Sequence, residues 1–140
     1  FALPGNKLYG PVSVLVSLYG KAMKYQKVSA SSYYPRPHVD SVVIKLINKL
    51  WSDTNNLEKE TDGLASLNLI SRQNFHKFLN VCFSQRRKTF ANVIRNSKYG
   101  QLVSEGILTS MIEKYGLTNS ARAEEIAPQM FWELFIQLQL

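Results

Sequence analysis

The segment Val39–Ile47, entered through Tyr34-Pro35-Arg36-Pro37, constrains the fold more than any other part of the chain. It is rich in β-branched residues and reads as a strand. Alternation places Val42, Ile44 and Leu46 on one face and Val43, Lys45 and Ile47 on the other. A strand with apolar residues on both faces is expected to be covered on both, as in the sheet of a three-layer α/β domain. The prolines bias Tyr34 and Arg36 away from helical angles, and the stretch from Met23 to Tyr34 also reads as extended. Nothing else in the sequence supplies enough strands for such a sheet. The segment therefore reads as the end of a larger domain.

The rest of the pattern is helical. Residues 10–19 form one expected helix: Pro11 suits the first position, Val12, Leu15, Val16 and Tyr19 follow at helical spacing, and Gly20 stops it. Residues 51–66 are polar, acidic and turn-rich, the expected linker. Ser71 is the expected N-cap of a helix carrying Phe75, Phe78, Leu79, Cys82, Phe83, Phe90, Val93 and Ile94 on one side. Ser104 would cap a second helix, with Ile107, Leu108, Met111, Ile112 and Tyr115 inward and Gly116 as its stop. A short turn is expected around Arg122–Ile126, and Pro128 opens a last helix with Met130, Phe131, Leu134, Phe135 and Leu138 as its stripe. The fold class is thus α+β, with a strand-bearing part over residues 1–50 and an all-helical part over residues 67–140.

Charge and cysteine usage narrow the function classes. The formal charge is +7, and it is unevenly spread. Residues 1–50 hold seven bases and one acid, residues 51–72 two bases and four acids, and residues 73–140 eight bases and five acids. Two basic blocks flank an acidic connector, which favours an anionic partner. Cys82 is alone, so no internal disulfide forms and a reducing cytoplasm is expected. No apolar run approaches the ~20 residues that cross a bilayer, so a soluble chain with no membrane partner is expected. The chain opens on Phe1 with no signal-peptide pattern, and it reads as beginning within a larger protein.

Candidate chemistry gathers in two strings. The first is Tyr33-Tyr34-Pro35-Arg36-Pro37-His38-Val39-Asp40-Ser41. A tyrosine on a Pro-x-Pro corner is held at little entropic cost and makes a platform for a nucleobase, although on composition alone packing at a strand end is favoured. The second is Phe83-Ser84-Gln85-Arg86-Arg87-Lys88-Thr89. On a wheel running from Phe75, Arg86 falls within the apolar stripe, Arg87 on its flank and Lys88 on the solvent side. Arg87 and Lys88 are therefore candidate phosphate contacts, whereas an inward Arg86 requires a carboxylate, with Glu124 or Asp40 as the expected partner. His38 and His76 lie far apart with no ligand spacing, so no metal is expected. No glycine-rich phosphate or dinucleotide loop occurs.

Together these strings resemble the ribosomal RNA small-subunit adenine dimethyltransferases (the KsgA family). The first matches a Phe-x-Pro-x-Pro-x-Val-Asp-Ser motif with Tyr33 in place of Phe, and the second a Phe-x-Gln-Arg-Arg-Lys-Thr motif. Leu8-Tyr9-Gly10-Pro11-Val12-Ser13-Val14-Leu15 and Arg122-Ala123-Glu124 extend the likeness in register. The large-subunit methyltransferases of macrolide resistance share the aromatic–proline motif but fit the second string less well.

The resemblance implies that residues 1–50 are the last helix and β-hairpin of a class I methyltransferase domain, and that residues 67–140 face rRNA. It implies dimethylation of two adjacent adenines in the 3′-terminal hairpin of small-subunit rRNA, with S-adenosylmethionine bound upstream of residue 1 and this fragment inactive alone. Tyr33 would stack on the target adenine with Pro35 and Pro37 fixing the corner. Arg36, Arg87 and Lys88 would contact RNA, and Arg86, Asp40 and Glu124 would be structural. The alternative is a non-catalytic nucleic-acid-binding module of the same superfamily. Oligomeric state stays open.

Overall fold

The computed structural model describes residues 2–48 and 69–138. The expected linker, residues 51–66, lies outside them. Helix α1 (Pro11–Tyr19) runs into strand β1 (Gly20–Val28), a 3-10 turn (Ala30–Ser32) and strand β2 (Ser41–Asn48). Helices α2 (Leu69–Cys82), α3 (Phe90–Arg95) and α4 (Glu105–Lys114) follow. A second 3-10 turn (Ala123–Glu125) and helix α5 (Pro128–Gln137) complete the order. None of these helices is long and apolar enough to cross a membrane.

Several helix signals act as read. Pro11 and Pro128 stand at the first helical positions of α1 and α5. The Ser104 side chain accepts the Ile107 N–H and caps α4. At the other end, Gly116 takes φ +64, and the Gly116 and Leu117 N–H groups close onto the Glu113 and Ile112 carbonyls. That pair of bonds needs a left-handed residue, which glycine supplies without a Cβ clash.

Two expectations are corrected. Ser71 is not the N-cap of α2, because the helix begins at Leu69 and Ser71 lies within its first turn. The single helix expected through Ile94 is two. Chain order breaks after Cys82, and Thr89 starts α3 by accepting the Asn92 N–H on its side chain. A threonine that can satisfy an orphan N–H competes with continuation of the helix, and here the new cap wins.

The core is aromatic. Phe75, Phe78 and Leu79 of α2 are fully buried with Phe131, Leu134 and Phe135 of α5. Phe75 and Phe135 pack with ring centroids 5.0 Å apart, Phe78 and Tyr99 at 5.3 Å, and Phe90 and Phe131 at 5.7 Å. Such tilted and edge-on pairs add to the stabilisation from burial alone. Val14 of α1 and Tyr9 before it belong to the same core. The Tyr9 ring meets Phe83 edge-on at 5.8 Å, and its hydroxyl donates to the Ile126 carbonyl at 2.9 Å. The start of the chain is thus fastened into the helical layer.

The hairpin differs. Strands β1 and β2 are antiparallel, from Gly20 opposite Asn48 to Val28 opposite Ser41. The strand predicted from Val39 starts at Ser41, and Val39 is exposed in the approach. Lys24 faces Ile44 and Gln26 faces Val43, leaving Tyr25 as the extra residue of a bulge. Val42, Val43, Ile44 and Leu46 are all exposed, so the described residues leave both faces of β2 uncovered, although the sequence calls for cover on each.

Candidate nucleic-acid interface

The corner is built from the backbone outward. Ser29 caps the first 3-10 turn by accepting the Ser31 N–H at 3.3 Å, and the Tyr33 N–H donates to the Ala30 carbonyl at 3.4 Å. Tyr33 is 44% exposed and Tyr34 fully exposed. The Tyr34–Pro35 peptide is cis. Arg36 and His38 are exposed, and Pro37 is half-buried.

Asp40 serves this corner and is not the partner of Arg86. Its Oδ2 accepts the Lys27 Nζ at 2.7 Å, and its Oδ1 accepts the Ala30 N–H at 3.1 Å. Both bonds favour the ionised carboxylate, Lys27 more than Ala30, and hold its pKa below the ordinary value.

The basic string forms a turn. The Ser84 N–H and hydroxyl both donate to the Val81 carbonyl, at 3.1 and 2.7 Å, and the Lys88 N–H donates to the Gln85 carbonyl at 2.9 Å. The two Ser84 bonds satisfy the Val81 carbonyl, left open where α2 ends. Ser84 through Lys88 are exposed around an open recess of about 350 Å³.

Within the turn the cations divide their work. Arg86 Nη2 donates to Glu124 Oε2 at 3.1 Å, to the Tyr9 carbonyl at 3.3 Å and to the Lys7 carbonyl. Its side chain is 49% exposed, so it is a bridge across the surface and not the inward residue that the continuous wheel implied. Among the described residues Arg87 and Lys88 make no ion pair, which leaves both charges to solvent.

The two strings are joined through backbone. Arg86 grips the carbonyls of Lys7 and Tyr9, and Gly5 N–H donates to the Glu124 carbonyl at 2.7 Å. From Tyr9 the chain enters α1, then β1, and so reaches the corner. Sequence reading did not single out Lys27 or the carbonyls of Lys7 and Tyr9. Lys27 was findable only through hairpin register, and backbone acceptors carry no residue signal.

Other chemistry is sparse. Cys82 is fully buried, and burial pushes its thiol well up, so no nucleophile is presented there. Among the described residues no three His, Cys, Asp or Glu side chains converge to hold a metal.

The arrangement of hairpin and helices is similar to that of a solved dimethyladenosine transferase from Plasmodium falciparum. The TM-score is 0.63 at 21% identity, covering 99% of this chain and 51% of that one. The chain belongs to the ribosomal RNA adenine dimethylase family, whose model matches residues 1–140. It is similar to the ribosomal RNA small subunit methyltransferase A of Campylobacter hominis, 32% identical over 138 residues, 97% of this chain and 45% of that protein. The protein of the same name from Staphylococcus aureus strain Newman is 32% identical over 132 residues, 94% of this chain and 40% of the relative. The chain thus spans less than half the length of these curated relatives.

Proposed function

We propose that the protein carrying this chain dimethylates adenine at N6 in small-subunit rRNA, on two adjacent adenines of the 3′-terminal hairpin, using S-adenosylmethionine in the cytoplasm. The observation that carries this reading is the family match over all 140 residues, which includes both strings. Residues 1–50 are assigned to the end of the methyltransferase domain and residues 67–140 to an all-helical, rRNA-facing domain.

The described residues do not fit S-adenosylmethionine. The recess beneath α1 is about 300 Å³ and mainly apolar, lined by Leu15, Val16, Tyr19, Leu46 and Ile47, with no carboxylate for ribose hydroxyls. The methyl donor is therefore assigned to residues other than those described.

What this chain contributes is handling of the base and its backbone. An adenine inside a duplex must leave its stack before N6 is accessible. Tyr33 offers a π face at the corner, and stacking of one base on an aromatic ring contributes ~1–3 kcal/mol. Its hydroxyl, absent from the family's phenylalanine, reaches solvent or a polar edge of the RNA. Pro35 and Pro37 limit the corner's freedom. Arg36, Arg87 and Lys88 meet phosphates as exposed cations, reading shape more than sequence. Arg86, Asp40 and Glu124 keep these parts in place.

The test is Tyr33→Ala in the protein carrying this chain, with an rRNA hairpin and S-adenosylmethionine. Methylation should fall far more than RNA affinity does, by about tenfold or more beyond the loss in binding, since misplaced reacting groups cost rate steeply. Equal losses in rate and affinity would make Tyr33 a binding or folding residue. Salt-dependent RNA binding with no methyl transfer by that protein would favour the non-catalytic module.

A further inference from the structure

The bulge in β1 has a geometric effect on one lysine. Lys24 faces Ile44 and Lys27 faces Val42, so both lysines share the face of β2 that carries Val42, Ile44 and Leu46. In an unbulged strand, residues three apart point to opposite faces. The extra residue, Tyr25, restores Lys27 to the face of Lys24. From there Lys27 Nζ reaches Asp40 Oδ2 at 2.7 Å.

Asp40 passes the constraint on. Its second oxygen holds the N–H of Ala30, a buried residue, and the Ala30 carbonyl holds the N–H of Tyr33. A continuous series of bonds thus runs from Lys27 through Asp40 and Ala30 to the backbone of Tyr33. The Lys27 and Asp40 side chains are 63% and 43% exposed, and ion pairs so exposed add little to global stability. A carboxylate with both oxygens committed is better suited to fixing an angle than to holding a fold together.

We propose that Lys27 and Asp40 are positioning residues for the Tyr33 ring, with the Tyr25 bulge delivering Lys27 to the pair. The proposal rests on the reading of Tyr33 as the base platform, and it adds a residue that neither string contains. Lys27 acts through Asp40 and touches no RNA.

The experiment uses the protein carrying this chain, S-adenosylmethionine and an rRNA hairpin, with Lys27→Met, Lys27→Arg, Asp40→Asn and Tyr33→Ala. Lys27→Met should speed amide exchange at Ala30 and Tyr33 and lower kcat roughly tenfold, with KM for RNA and the salt dependence of binding unchanged. Lys27→Arg should restore most of the rate. Asp40→Asn, which keeps an oxygen for Ala30 but loses the ion pair, should resemble Lys27→Met.

A salt slope shallower by about 0.7–0.9 in Lys27→Met would instead make Lys27 a phosphate contact and overturn the proposal. The two readings fail separately. If Tyr33→Ala leaves kcat intact, the base-stacking reading falls. If Tyr33→Ala abolishes turnover while Lys27→Met leaves both turnover and Ala30 exchange unchanged, only the positioning role falls.

Discussion

Arg86 and Glu124 meet at 3.1 Å, guanidinium to carboxylate, and the same Arg86 nitrogen also bonds the carbonyls of Lys7 and Tyr9. One side chain therefore joins the basic turn, the segment leading into α1 and the 3-10 turn before α5.

Arg86→Ala should cost about 1–2 kcal/mol in urea unfolding, because hydrogen bonds to a charged donor are lost but its half exposure screens the ion pair. Glu124→Gln should cost less, since Arg86 keeps both carbonyls. Arg87→Ala and Lys88→Ala should stay within about 0.5 kcal/mol of the parent, as surface substitutions do. In RNA binding the order should reverse, each of these two reducing the salt slope by about 0.7–0.9. A uniform response across the three cations would remove the distinction drawn between bridge and phosphate contact.

That distinction was partly legible in the sequence. A cation placed among Cys82, Phe90 and Val93 demands a carboxylate, and the demand named Glu124 and Asp40, of which Arg86 meets Glu124. The wheel behind it was nevertheless wrong, because Thr89 opens a new helix and Arg86 reaches Glu124 from a turn. A Thr followed by Phe90-Ala91-Asn92-Val93 is a start signal that the apolar stripe concealed. Helix ends at Gly20, Gly116 and Pro128 were readable because single residues impose them. The Tyr25 bulge and the Lys27–Asp40 pair were not, since both depend on which residues face each other across the hairpin. Cover for Val42 and Ile44 was demanded by the pattern, yet no pattern within these residues supplies it.

Glu133 should control part of the acid limb of stability. It accepts Lys114 Nζ at 2.6 Å and the Tyr115 hydroxyl at 2.9 Å, tying the end of α4 to α5. These bonds, Lys114 first, hold its pKa below the ordinary 4.5. A depressed carboxylate contributes stability that is complete above the unfolded value and is lost as pH falls through the lower folded value. Burial, and then Glu133, push Tyr115 up to about 12. Its contribution is complete below 10.0 and is lost as pH rises through about 12. Thermal melts across pH should show Glu133→Gln with a flatter acid limb and Tyr115→Phe with a flatter alkaline limb. An unaltered acid limb in Glu133→Gln would assign acid sensitivity elsewhere, with the Arg95–Glu105 pair as the next carboxylate to examine.

Gly100 and Gly106 should respond to alanine with opposite signs. A Cβ on Gly100 would stand 2.1 Å from the Arg95 carbonyl oxygen and 2.9 Å from its carbon, so backbone must move. The loop has little room to do so. Gly100 N–H donates to the Ser97 carbonyl at 3.0 Å, and the adjacent Tyr99 ring is buried edge-on against Phe78. On the other side, Arg95 Nε and Nη2 grip both oxygens of Glu105 at 2.6 and 2.7 Å. Shifting Arg95 disturbs that fork, and shifting Gly100 disturbs the aromatic pair, so Gly100→Ala should cost about 1–3 kcal/mol, the usual range for overpacking. Gly106 lies in the first turn of α4, and a methyl added there would meet nothing within 4 Å. Alanine at that position relieves only the unfolded chain's excess freedom, and a gain of about 0.4–1 kcal/mol is expected. Urea midpoints at constant m-value would check both, and a neutral Gly100→Ala would mean that the turn from Arg95 to Gly100 yields without drawing on either neighbour.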